Sequence, residues 1–526
     1  MHDSTELPPL TITGPRIPTG LAGGAPVDVH VAGGRIAAIT PAGTRPPEGR
    51  VLDAAGTWLG PGFVDAHVHL VMAGLGLRQR DLSAVDSRAS FEAAIAAEAA
   101  RLRDEGAGPD VWLLARGWDE SRWDGARPTA DWLAAAGSRP AAAWRMDIHA
   151  VAINRAGLAR LDLREPVAGG TIVRDAAGEP TGLLLEAAAW ERLIPALPPP
   201  TAGQEQAATR AAVAHAHARG LVAVGSMEYL DVIERALVPL AEESTLCLRL
   251  LALDRELPLD LERMRAVPAS ALLRLFAAKA FVDGTLGSRT ARMREPYADA
   301  DADADGDGAD PRGLLVERAL DGTLDAWARS AAGGGFAIAI HAIGDAAVRR
   351  ALDAADAAEP AGRPLRIEHA QHVHPSDLPR FAGRFASVQP GHRIADRSVM
   401  DARLGPGRAE AAFPLAELAA AGARLAFGSD WPVIDCDPMD AIAAAVAGVV
   451  REGPRPDGHE IPVTTALEAH TTGAWASIDE PGRGRLEPGA VADLVLLDRD
   501  PLTVVWAHER PAVRLTVAGG RVVFEA

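Results

Sequence analysis

Apolar positions follow two different rhythms along this chain. Near the start, VDVHVAGGRIAAI (Val27 to Ile39) alternates apolar residues around a Gly-Gly turn, and near the end AVADLVLLDRDP and LTVAGGRVVFEA do the same. A period of two broken by Gly-rich turns predicts short, half-buried strands. Because these segments lie at opposite ends, they are expected to pair into one composite β-sandwich, residues 1–60 with 482–526, bracketing the middle.

The middle, residues 61–481, alternates apolar runs with Ala-rich helical stretches, the pattern of βα units around a parallel sheet. The predicted strands are GFVDAHVHL, GLVAVGSM, LCLRLLALD, LFAAKAFVDG, FAIAIHAIGD, LRIEHAQ, FASVQP and RLAFGSD. Eight such units close a (β/α)8 TIM-type barrel of the α/β class, with its active site at the C-terminal ends of the strands.

One connection is too long for a βα loop. About 150 residues separate the first run from GLVAVGSM, so residues 75–218 read as a cap-like insertion. It holds six of the eleven tryptophans: Trp112, Trp118, Trp123, Trp132, Trp144 and Trp190. Such rings either build an apolar substrate pocket or form the insertion's own core, and the pattern admits both. A second irregularity, YADADADADGDGADP, fits D-x-D-x-D-G at Asp301, Asp303, Asp305 and Gly306. A calcium loop needs a bidentate Glu where this chain has Arg312, so a solvated loop is expected.

Composition narrows the class without changing this picture. Of 526 residues, 48% are hydrophobic and 24% charged, which is ordinary for a globular enzyme. A formal charge of -18 disfavours nucleic acid and anionic membranes as partners. Two cysteines, Cys247 and Cys436, give no disulfide framework. The N-terminal MHDSTELPPL has neither the basic region nor the apolar core of a signal peptide, and no run approaches ~18 apolar residues. The expected location is the cytoplasm. The expected partner is a small-molecule substrate, and a homodimer is compatible with this composition.

The polar residues ending the apolar runs carry the chemistry. His67 and His69 close the first run, and at i and i+2 on a strand they face one side, as convergent metal donors do. An isolated HxH is a weak signal, but this one has companions: Lys279, His341, His369 and Asp430 end the fourth, fifth, sixth and eighth runs. A lysine inside an apolar run is costly as a free ammonium. Four His, one Asp and one Lys at the strand ends of one barrel point to a metal site. The second HxH, His215 and His217, falls on an Ala-rich helix, where i and i+2 diverge, and is expected at the surface.

PGFVDAHVHL, KAFVDGTLGSRTA, HAIGDAAV, RIEHAQ, FGSDWPV and GRLEPGAVADLVLLDRDPL together resemble the amidohydrolase superfamily. More narrowly, they resemble its YtcJ-like branch, which includes N-substituted formamide deformylase. The words span nearly the whole chain. The resemblance implies metal-dependent hydrolysis of a non-peptide C–N bond in a small molecule, an N-substituted formamide among the candidates. It implies one or two divalent ions, zinc by default, with His67, His69, His341 and His369 as ligands. Asp430 would be ligand and general base, and Lys279 would be carboxylated to bridge two metals. Glu186 is a rival carboxylate, more simply read as a helix-surface glutamate. His149, in RMDIHAVAIN, offers a substrate or transition-state contact or a structural histidine. Trp118 and Arg289 are further substrate-contact candidates, Arg289 alternatively bracing a loop. A cyclic-amide hydrolase or deaminase of the same superfamily is the alternative activity. A non-catalytic metal-binding protein on this scaffold would require lost ligands, and none of the six positions is lost.

Overall fold

The computed structural model describes residues 7–18, 24–146, 150–167, 170–253, 259–287, 289–300, 310–358, 362–450 and 453–526. Asp301 to Gly306 of the acidic loop, and His149, lie outside them. The chain divides into two compact units, Met1–Val71 with Thr209–Ala526, and Met72–Ala208.

In the first unit the eight predicted runs form one eight-stranded sheet. Its strands are β1 (Phe63–Val68), β2 (Leu221–Tyr229), β3 (Cys247–Leu253), β4 (Leu273–Phe281), β5 (Ala337–Ala342), β6 (Leu365–His369), β7 (Phe385–Val388) and β8 (Arg424–Phe427). They pair in parallel, each with the next along the chain. The runs are apolar throughout because both faces of such a sheet are covered. In β3 and β5 every residue is buried. The helices between strands bury one stripe each: Asp345–Asp356 buries Ala347, Val348, Ala351, Leu352 and Ala355 at helical spacing. Val64, Ala66, Val222, Met227, Leu251, Phe276, Ala339 and Ala426 fill the core.

The seam between β8 and β1 closes the barrel. Val68 bridges Trp431 in parallel. The Asp430 amide donates to the His67 carbonyl at 2.7 Å, and the His69 amide to the Trp431 carbonyl at 2.8 Å. Gly428 makes this approach feasible, since a Cβ there would lie 2.6 Å from His67 Cβ and 2.7 Å from its nitrogen.

The two ends of the chain build two four-stranded sheets. One runs Arg35–Pro41, Val27–Ala32, Leu10–Thr13, Arg50–Asp53, and the other Arg521–Glu525, Val513–Ala518, Leu494–Leu497, Trp58–Pro61. Leu10, Ile12, Val29 and Ile36 share one core with Leu494, Leu496, Leu515 and Val517. Each contributes the apolar face of an alternating strand.

The second unit carries a six-stranded sheet, from Gly170–Arg174 at one edge to Arg80–Asp81 at the other, and the 17-residue helix Arg88–Asp104. Trp112, Trp118, Trp132 and Trp144 are buried in its two apolar cores, and Trp123 and Trp190 pack against them. Trp118 is 0% exposed, with its indole N–H donated to the Ala143 carbonyl at 2.8 Å. The reading of Trp118 as a substrate contact is therefore corrected: the ring is core, with its one polar atom satisfied. Among the described residues no helix is long and apolar enough to cross a membrane.

Candidate metal centre

The strand ends converge. His67 is fully buried, and Lys279 Nζ lies 3.0 Å from His67 Nε2. Asp430 Oδ1 lies 3.3 Å from His67 Nε2 and 3.3 Å from His69 Nε2. Ring centroids are 5.0 Å apart for His67 and His369, and 4.4 Å for His341 and His369. All six predicted residues thus form one cluster, drawn from five strand ends. Donor atoms of His67, His369 and Asp430 lie within 4.8 Å of one another.

Local backbone geometry makes the convergence work. His369 and Asp430 have φ of 68° and 58°, the left-handed region that non-glycine residues seldom occupy. At His369 this breaks strand alternation, so Glu368 reaches His67 Nδ1 at 2.8 Å while the neighbouring His369 ring also packs on His67. At Asp430 it turns the chain back along β1. Asp65 braces that turn, with Oδ1 accepting from the His67 and Ser429 amides at 3.1 and 3.0 Å and Oδ2 from the Ser429 hydroxyl at 2.5 Å. Asp283 plays the same part between β4 and β5, accepting from the Ile343, Gly344 and Arg292 amides.

Hydrogen-bond partners assign the imidazole tautomers. His67 Nδ1–H donates to Glu368, His69 Nδ1–H to the Met227 carbonyl at 3.0 Å, and His341 Nε2–H to the Gly284 carbonyl at 3.2 Å. That leaves lone pairs on His67 Nε2, His69 Nε2 and His341 Nδ1. His369 Nδ1 is buried and has no hydrogen-bond partner among the described residues. Imidazoles with one nitrogen held from behind and the other turned toward a shared carboxylate fit a divalent cation.

The electrostatics agree. Burial, then the Lys279 charge, pushes His341 down to about 3, and burial with neighbouring His341 and His67 holds His369 well below its usual value. Burial alone would raise Asp430, but His67 and His69, in the forms that carry a proton on Nε2, overcome it and hold the carboxyl well below the usual carboxylate range. Burial pushes Lys279 down to about 8 against the opposing pull of Glu368 and Asp430. Burial raises Asp65 and Asp283 to about 7.

Arg289 pairs with Asp299 at 3.0 Å within its own loop. Glu186 ends the strand Pro180–Glu186 rather than lying on a helix. His217 is buried, not at the surface, between the Leu221 carbonyl and the Thr245 hydroxyl. His215 is half-buried, stacked on Trp431 at 4.8 Å and bonded to Asp435 at 2.7 Å. The sequence reading missed Asp65, Glu368, Arg366, Asp283 and Phe281. Asp65 had a usable signal, sitting two residues before His67 on the same strand face.

A family model described as "Amidohydrolase family" matches residues 50–524. The amidohydrolase-named YtcJ of Bacillus subtilis (strain 168) is 31% identical over 504 residues, covering 91% of each chain. N-substituted formamide deformylase of Arthrobacter pascens is 28% identical over 528 residues, covering 90% of each. An uncharacterized metal-dependent hydrolase from Pyrococcus horikoshii OT3 superposes with a TM-score of 0.74 at 25% identity, covering 95% of this chain and 100% of that one. A match of this extent, over a barrel whose strand ends gather four imidazoles, a carboxylate and a lysine, places the chain in the amidohydrolase family.

Proposed function

We propose that this protein hydrolyses the amide C–N bond of a small non-peptide molecule, an N-substituted formamide, by metal-assisted attack of water. The observation carrying this reading is the cluster of pre-set imidazole lone pairs around Asp430. His67, His69, His341, His369 and Asp430 would hold one or two divalent ions, zinc by default, with Lys279 as a carbamate between them. When bound, the metal lowers the pKa of water and polarises the scissile carbonyl. Asp430, held ionised, accepts the proton of the attacking water and returns it to the leaving nitrogen as the C–N bond breaks. Burial keeps the Lys279 amine easily deprotonated, as carbamate formation with CO2 requires. Phe281, 36% exposed with its ring 5.0 Å from that of His341, offers an apolar wall for the N-substituent.

Screening metal-loaded protein against N-formyl and N-acyl amines tests the reading. Amine release from N-substituted formamides is the expected result. No turnover across that panel, with hydrolysis of cyclic amides or deamination of aromatic amines, would replace it with the alternative activity.

A further inference from the structure

Three of the four imidazoles in the cluster have one nitrogen held from behind, and the partners are not equal. His69 and His341 donate to neutral backbone carbonyls, Met227 at 3.0 Å and Gly284 at 3.2 Å. His67 donates to a carboxylate, Glu368 Oε2, at 2.8 Å, nearer than Gln389 Nε2 at 3.1 Å from the same Nδ1, with the His67 and Glu368 side chains 0% exposed. Glu368 is itself clamped: Arg366 Nε donates to Oε1 at 2.7 Å and Nη2 to Oε2 at 3.1 Å. Arg366 is fixed in turn by the Ala66 carbonyl at 2.8 Å and the Ser387 hydroxyl at 3.0 Å.

Stability does not account for this arrangement, since a buried ion pair seldom outperforms apolar residues of the same volume. Nor is Glu368 free to be a ligand, because both oxygens are engaged by Arg366 and one also by His67. We propose that the Arg366–Glu368 pair is a positioning device that makes His67 the strongest donor of the cluster and sets the site's affinity for its divalent metal. A charged acceptor gives a stronger hydrogen bond than a carbonyl and draws the Nδ1 proton toward itself, enriching the lone pair on Nε2. Arg366 holds Glu368 to this task and keeps its carboxylate from swinging toward Lys279.

The inference rests on the metal-dependent reading above, and metal binding itself separates the two. Zinc affinity is measured by chelator competition, and the Co(II)-substituted protein by its visible absorption, for wild type, Glu368→Gln and the double variant Arg366→Met/Glu368→Gln. The double variant leaves no buried charge unpaired, so it keeps the fold testable by circular dichroism. Zinc binding 10–100-fold weaker in both variants, with a shifted Co(II) spectrum, is the expected result. A folded double variant with wild-type zinc affinity and an unchanged Co(II) spectrum would overturn the positioning role. Wild-type protein that binds neither ion would instead overturn the metal reading.

Discussion

Lys279 is only 1% exposed, and that burial disfavours the ammonium. Its ordinary value of 10.5 falls to about 8, so between those two pH values the unfolded chain binds the proton that the folded chain releases. Metal-free protein in CO2-free buffer should therefore gain stability as pH rises from about 8 to 10.5. By the size of the shift the gain is about 3 kcal/mol, and Lys279→Met should remove it. Urea melts at the two pH values measure this, and a slope unchanged in Lys279→Met would refute it. In the loaded enzyme, Lys279→Ala should lose metal and activity together, with partial rescue by short carboxylic acids standing in for the proposed carbamate. An unmodified amine beside a single, fully active metal would establish a mononuclear mechanism instead. His67→Ala should abolish turnover and deplete bound metal while the far-ultraviolet dichroism stays native, because the backbone pairing of β1 with β2 does not run through the ring.

At the scale of elements, the insertion's tryptophans hold its sheet and helix together. Trp118→Ala removes a fully buried ring, which costs roughly 3–5 kcal/mol. The loss of kcat/KM should then be equal for bulky and small substrates and accompany a lower Tm, whereas selective loss on bulky substrates would restore the pocket role. The strand ends also show what the sequence could convey. His67, His69, Lys279, His341, His369 and Asp430 are legible because each polar group ends an apolar run, a pattern that survives without knowledge of backbone angles. Glu368 is not legible. Strand alternation assigns it to the face opposite His369, and only the φ of 68° at His369 brings both inward. Trp118 fails for another reason: an aromatic ring has the same sequence signature whether it lines a pocket or fills a core.

At the scale of the whole molecule, the first and last thirty or so residues depend on each other. Leu10, Ile12 and Val29 lose their apolar partners if Leu515 and Val517 are absent. Deleting Val513–Ala526 should therefore expose the N-terminal sheet to limited proteolysis while sparing sites within Met72–Ala208. Uniform digestion of both regions would argue that the units do not unfold separately.

The hydrogen bonds that join β8 to β1 run through the cluster itself: the Asp430 amide to the His67 carbonyl, and the His69 amide to the Trp431 carbonyl. His67 and Asp430 are 363 positions apart in the chain. At roughly 5–20 residues per second, a ribosome finishes the second about 18–73 seconds after the first. During that interval the two leading histidines exist without the carboxylate that faces them, so a nascent chain can hold an ion only loosely. The full set of facing groups therefore exists only once Asp430 has been made, so any ion the site holds firmly should be taken up late in synthesis or after it.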